Sequence, residues 1–178
     1  LADKYTVRAY VQSKISDDIL IPLYRHGTDP HAIPFETLPE SFVIKCNHGS
    51  GYGIIIKDKS ICNPWAIQKQ LSIRLNEEYW LKWRELQYKN IKKQIIIEQL
   101  LIDEQWNIPI DYKWYCFNWE PIYIGVITWR FVNQTNDYFD IERKKQPYSC
   151  MFPKWTHHIP KPTCFEKMKQ YARILSSW

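Results

Sequence analysis

The sequence predicts a protein that mixes helices with short strands, and three observations carry that expectation. Apolar runs of strand length recur at residues 42–46, 54–57 and 94–98. Apolar residues return at helical spacing near 3–15, from 63 to about 84, and after Thr163. An aromatic stretch at 111–117 alternates between two faces and leads through a turn into a second strand. The chain has 178 residues, 45% hydrophobic and 24% charged, which suits one domain or slightly more and excludes wholesale disorder.

Taken in order, residues 3–15 form a helix that Asp3 can cap, with Val7, Tyr10 and Val11 on one side. Residues 25–40 hold Gly27, Pro30, Pro34 and Pro39, punctuation too dense for anything but a loop. Strand 42–46 then leads into the segment 47–53 and on to strand 54–57. Asn63 and Pro64 open a helix as cap and first residue, and Trp65, Ile67, Leu71, Leu75 and Leu81 continue it to about 84. A short apolar strand follows at 94–98. The hairpin comes next: strand 111–117, a turn at 118–121 and strand 122–129. A type I′ turn would put Trp119 at positive φ, so a different turn is expected. Residues 131–162, interrupted by Pro147, Pro153, Pro160 and Pro162, read as irregular. Thr163 and Glu166 have the spacing of a capping box before a last helix that carries Phe165, Met168, Ala172 and Leu175.

Composition removes several classes of function. No apolar run approaches the roughly 18 residues of a membrane span. The start, Leu1-Ala2-Asp3-Lys4-Tyr5, has no basic region followed by an apolar core, so no signal peptide is expected. Five widely spaced cysteines without a Cys-x-x-Cys argue against a disulfide framework or zinc ribbon, and for reduced, mostly buried thiols in the cytoplasm. Five histidines without ligand spacing argue against a structural metal. A net charge of +5 favours anionic partners. The 16% of aromatic residues follow strand and helix patterns, so they are assigned mostly to the core and nucleic acid is not expected as a partner.

Glycine supplies the sharpest local signal. Only five occur, and three of them, Gly49, Gly51 and Gly53, fall within five residues. Glycines let backbone N–H groups come close to phosphate oxygens. The order strand, Lys45, Asn47-His48-Gly49-Ser50-Gly51-Tyr52-Gly53, strand is neither a Walker A loop nor a dinucleotide fingerprint, because both of those open a helix. It reads as a flap that can fold over a triphosphate while Lys45 neutralises it; a plain flexible hairpin loop is the alternative. Residues Ile95-Ile96-Ile97-Glu98-Gln99-Leu100-Leu101 suit a hinge between lobes, with backbone groups for an adenine edge and a carboxylate for a ribose hydroxyl; a core strand is the alternative. Lys113, Tyr115 and Phe117 share one strand face, and the hairpin can bring Lys113 near Arg130 as a clamp on an anion. Cys46 and His48 have the spacing of a thiol–imidazole pair, although a strand cysteine reads first as buried.

In this order the segments resemble the TupA-like branch of the ATP-grasp superfamily. The stretches that carry the resemblance are Asp3-Lys4-Tyr5-x-Val7-Arg8-x-Tyr10-Val11, Leu38-Pro39-x-x-Phe42-Val43-Ile44-Lys45-Cys46-Asn47-His48-Gly49-Ser50-Gly51, Arg84-Glu85-x-Gln87-Tyr88-Lys89-Asn90-Ile91, Ile97-Glu98-x-Leu100-Leu101 and Asp111-Tyr112-Lys113-x-Tyr115-Cys116-Phe117. The resemblance implies an α+β ATP-grasp fold over 1–178: an N-terminal helix and loop to about 40, a glycine-flap lobe over 41–101 and a second lobe over 102–178. It implies ATP between the lobes, with Lys45, His48, Gly49, Ser50, Gly51 and Gly53 at the phosphates. Glu98, Gln99, Leu100 and Leu101 would form the adenine hinge, and Lys113 and Arg130 would face the acyl-phosphate region. It further implies Mg²⁺, ligation of an amino acid or amine to an acidic sugar or polysaccharide precursor, and relatives often labelled glycosyltransferases. A catalytically silent nucleotide- or glycan-binding relative is the alternative. In the family a later acidic segment supplies the Mg²⁺ ligands; the sequence given stops before it, so the fold is expected to lack it, with Asp137, Asp140 and Glu142 left as candidates by elimination.

Overall fold

The computed structural model describes residues 1–103, 107–130, 132–156 and 158–177. The chain forms two compact units, Leu1–Leu100 and Leu101–Trp178.

The first unit is built on a four-stranded antiparallel sheet in the order β1-β4-β2-β3, where β1 is Leu23–Gly27, β2 Phe42–Cys46, β3 Ile54–Ile56 and β4 Ile95–Gln99. Strand alternation divides its side chains between two faces. Phe42, Ile44, Cys46, Ile95 and Ile97 enter a core closed by Phe35, Leu38, Ile67 and Leu71. Val43, Lys45, Ile96 and Glu98 take the opposite face, which the register brings together by setting Lys45 across from Ile96 and Val43 across from Glu98. Helix α1 (Val7–Lys14) contributes Arg8 to this second face.

Helix α2 (Pro64–Asn76) starts as its sequence predicts, with Asn63 Oδ1 accepting from Ala66 N at 3.1 Å and Pro64 in the first turn. It does not run to 84. Glu77 is extended, α3 (Tyr79–Trp83) restarts the helix, and Arg84 ends it at φ 58°. The break frees Glu77 to accept from the Tyr52 hydroxyl and to pair with Arg74. The segment 25–40 is more ordered than a loop: it contains part of β1 and the 3₁₀ turns Pro30–Ala32 and Phe35–Thr37, which bury Pro30 and Phe35.

The second unit is an antiparallel sheet in the order β5-β6-β7, with β5 Asp111–Phe117, β6 Glu120–Thr128 and β7 Thr135–Asp140. Helix α4 (Phe165–Ser176) covers one face, where Ile124, Val126, Phe139 and Phe165 form the core with Tyr112 and Trp114 against them. β7 falls inside the segment that reads as irregular; Asn136, Asp137 and Asp140 are poor strand formers, and pairing with β6 over six positions outweighs them. Thr163 does not cap α4. Cys164 holds the cap position without a side-chain bond, and Glu166 pairs with Lys161 instead.

The turn between β5 and β6 also departs from expectation. Asn118 and Trp119 sit at φ 48° and 66°, the left-handed pair that joins strands over two residues. The strand twist favours this geometry even without glycine, and α4 fastens it: Ser176 Oγ donates to Trp119 O at 2.8 Å and Arg173 forks onto Glu120 at 2.7 to 3.0 Å.

Two compositional expectations change. Trp65, Trp83, Phe117, Trp119 and Trp129 are each about half exposed or more, so the aromatic excess is not mostly core. All five thiols are free, but only Cys46 is fully buried, and Cys150 and Cys164 are exposed.

Candidate functional site

In the first unit the site is an ion cluster beside the glycine segment. Lys45 Nζ reaches Glu98 Oε2 at 2.7 Å, and Arg8 Nη1 reaches Glu98 Oε1 at 3.2 Å. Arg8 also donates to Ile21 O at 2.7 Å. The Glu98 side chain is only 8% exposed while that of Lys45 keeps 30%, so the carboxylate is the buried anchor and the ammonium faces solvent in part. Both oxygens of Glu98 are thus engaged by cations. Beyond it, Gln99 and Leu101 are exposed and Leu100 is buried.

The glycine segment is firmly rooted and free only at its tip. Asn47 is fully buried: its Oδ1 accepts from Gln94 N at 2.7 Å, and its Nδ2 donates to Asp3 Oδ1 at 2.8 Å and to Lys92 O at 2.9 Å. Lys4 Nζ donates to Gly49 O. Burial, with Lys45 close by, pulls the Lys4 ammonium below its ordinary value. Gly49 lies against Tyr79, where a Cβ would stand 2.7 Å from the ring. Gly51 uses a positive φ of 77°, and a Cβ at Gly51 or Gly53 would meet nothing within 4 Å. The open portion is therefore Ser50, Gly51 and Gly53, a concentration of accessible backbone suited to an anion.

His48 is buried rather than at the tip. Its Nε2 donates to Arg74 O at 3.2 Å, which leaves Nδ1 as an enclosed acceptor without a partner, and burial holds its pKa down. Tyr52 donates to Glu77 at 2.5 Å beneath the Arg74 guanidinium, and its pKa is raised to about 12 by burial and then by that bond. Cys46 and His48 form no catalytic pair: the thiol lies in the core, with its pKa raised to about 11 by burial.

In the second unit, Lys113 Nζ and Arg130 Nη1 both reach Asp111 Oδ2, at 2.8 and 3.2 Å. The two cations expected to meet do so, on a carboxylate two residues from Lys113. These pairs are nearly half exposed on the cation side, so each is worth about 0 to 1 kcal/mol.

Two of the acidic candidates for a metal, Asp137 and Asp140, are occupied in other ways. Asp137 is fully buried, pairs with Lys145 at 2.6 Å and accepts from Trp155 N at 2.9 Å. Asp140 accepts from the backbone of Glu142 and Lys144 and closes a turn. Among the described residues no cluster of three or more His, Cys, Asp or Glu can hold a metal ion. Nor is any described helix long and apolar enough to cross a membrane.

Sequence reasoning passed over Arg8, Asn47, Tyr79 and Asp111 as functional candidates. Arg8, Asn47 and Asp111 lie in the stretches that carry the family resemblance, which was the available signal; Tyr79 left none, because its role is to press on Gly49 from 30 residues away.

A strand-borne lysine before a glycine loop, held by a carboxylate of the neighbouring strand, is the charge cluster of the first unit, and a hairpin that gathers two cations on one carboxylate is that of the second. The chain belongs to the TupA-like ATP-grasp family, whose description, TupA-like ATPgrasp, matches residues 1–178. Membership brings ATP binding and ligase chemistry as the class. No curated protein and no solved structure matches the chain.

Proposed function

We propose that the protein is an ATP-dependent carboxylate–amine ligase that joins an amino acid or amine to an acidic sugar or polysaccharide precursor. The observation that carries this reading is the shared anchoring of Lys113 and Arg130 on one oxygen of Asp111, two partly exposed cations gathered at one point where a phosphate can be met. ATP supplies the phosphoryl group that activates the carboxylate for attack by the amine. That step brings anions together, and the chain's part is to offset their repulsion. Lys45 and the backbone of Ser50, Gly51 and Gly53 receive phosphate oxygens. Gln99 to Leu101 offer main-chain groups to the base. Lys113 and Arg130 hold the transferred group and the acceptor carboxylate. Gly49 and His48 act beneath the loop, fixing its root, and Glu98 aims Lys45.

A thermal-shift series with ATP and Mg²⁺ tests this. Binding raises the melting temperature of the wild type, and Lys45→Ala removes the rise. ADP release in the presence of a uronic acid and an amino acid separates a ligase from a silent nucleotide-binding relative. Absence of a shift with every nucleotide sinks the reading.

A further inference from the structure

The exposed apolar surface of the first unit is densest where α3 ends. Leu81, Lys82, Trp83 and Arg84 are four consecutive exposed residues, and Leu86 follows just beyond. The apolar side chains among them, Leu81, Trp83 and Leu86, are 55%, 58% and 68% exposed. The backbone keeps them close together. Arg84 turns the chain at φ 58°, and Glu85 N donates to Trp80 O at 3.1 Å, so residues 81–84 form one closed turn. The 3₁₀ turn Leu86–Tyr88 follows, and Lys89 Nζ comes to lie 5.1 Å from the centre of the Trp80 ring. Tyr79 roots the turn from inside. It is buried, its ring meets Tyr88 edge-on at 5.1 Å, and its hydroxyl donates to Glu85 Oε1 at 3.1 Å.

The charge of this segment is one-sided. Residues 79–92 hold Lys82, Arg84, Lys89 and Lys92, all exposed, against the single carboxylate of Glu85. That is a net +3 of the chain's +5. Glu85 is engaged within the turn, by Tyr79 at one oxygen and by Gln87 Nε2 at the other, 2.9 Å away. None of the four cations forms an ion pair with a described residue. Lys82 and Lys89 lie instead over the rings of Trp83 and Trp80.

Exposed leucine and tryptophan among unpaired cations fit the boundary of an anionic bilayer. There the apolar groups reach the acyl margin, while lysine and arginine stems extend to the lipid phosphates. A polyanion without hydrocarbon, such as nucleic acid or an acidic polysaccharide, would match the cations and could stack on Trp83, but would leave Leu81 and Leu86 in water. We propose that this turn docks the protein on a membrane surface of anionic phospholipid, with Leu81, Trp83 and Leu86 at the acyl margin and Lys82, Arg84, Lys89 and Lys92 at the phosphates. The chain then lies on the bilayer without crossing it. None of these side chains is assigned to nucleotide, so the docking surface stands apart from the ATP site.

Co-sedimentation of the full chain with lipid vesicles tests this. The protein is expected to bind vesicles of phosphatidylglycerol mixed equally with phosphatidylcholine, and to stay in solution with phosphatidylcholine alone. Binding is expected to weaken steeply towards about 1 M salt, where the screening length falls to about 3 Å. Lys82→Gln combined with Arg84→Gln is expected to weaken vesicle binding about 25-fold, or about fivefold for each cation removed. Leu86→Ser is expected to weaken it about tenfold, because a leucine no longer enters the acyl margin. All three positions are exposed, so these variants are expected to melt like the wild type. Lys89→Gln combined with Lys92→Gln repeats the charge test beyond the turn. The proposal is overturned if the wild type binds neither vesicle or both alike, if either charge variant or Leu86→Ser binds as the wild type does, or if single-stranded DNA or polygalacturonate is bound at least as tightly as the anionic vesicles.

Discussion

Replacing Glu98 with Gln tests the ion cluster at its centre. The change keeps shape and removes the charge that holds Arg8 and Lys45, whose contacts at 3.2 and 2.7 Å are then left without their anion. Removing one partner of a fully buried pair costs about 3 to 5 kcal/mol. Here the cation side chains retain 18% and 30% exposure, so water recovers part of that loss. The expected destabilisation is about 2 kcal/mol. For a unit of this size it corresponds to a fall of roughly 8 to 16 °C in melting temperature. Urea unfolding followed by circular dichroism reads it, with Arg8→Ala and the double variant completing a cycle. The coupling between Arg8 and Glu98 is expected at about 1 kcal/mol. A Glu98→Gln protein within about 0.5 kcal/mol of the wild type, the spread of ordinary surface changes, refutes the claim that this carboxylate anchors the site.

Three further outcomes follow from the geometry. In the glycine loop, Gly53→Ala is expected to be near neutral, Gly51→Ala to cost about 1 kcal/mol for its positive φ, and Gly49→Ala to cost about 1 to 3 kcal/mol because the Tyr79 ring must move; a melting series that orders them otherwise contradicts the packing. His48 is held below its ordinary pKa by burial, so the unfolded chain binds the proton more readily. Stability is therefore expected to fall as pH drops below the unfolded value of about 6.5, and to go on falling until the lowered folded pKa is passed; His48→Gln flattens that part of a denaturation–pH profile. At the hairpin turn, Trp119→Gly relieves a bulky residue at φ 66° and is expected to raise stability by about 0.5 to 1 kcal/mol, which chemical denaturation measures; a loss of stability instead means the exposed indole contributes packing.

The most legible parts of this protein are those in which one local pattern decides the structure. The apolar run at Phe42–Cys46 and the alternating aromatics at Asp111–Phe117 became strands with the expected bounds, and Asn63 with Pro64 opened α2. β1 and β7 were illegible because Arg25, His26, Asn136 and Asp137 carry no strand signal; they become strands only through partners found elsewhere in the chain. The turn at Asn118 and Trp119 was misjudged because residue preference was weighed without strand twist or the grip of Ser176 and Arg173. The same division runs through the site. Lys45, Lys113 and the glycines are visible as residues, whereas the pairing of Lys45 with Glu98 crosses 53 positions and needs the β2–β4 register to appear.

Hydrogen exchange with and without ATP and Mg²⁺ tests the central claim most directly. A nucleotide held by Lys45, the loop tip and the hinge slows exchange of the backbone amides at residues 50–53 and 99–101, and Lys45→Ala reduces that protection. Binding of ATP with exchange unchanged at both segments, or protection that survives Lys45→Ala undiminished, contradicts the assignment.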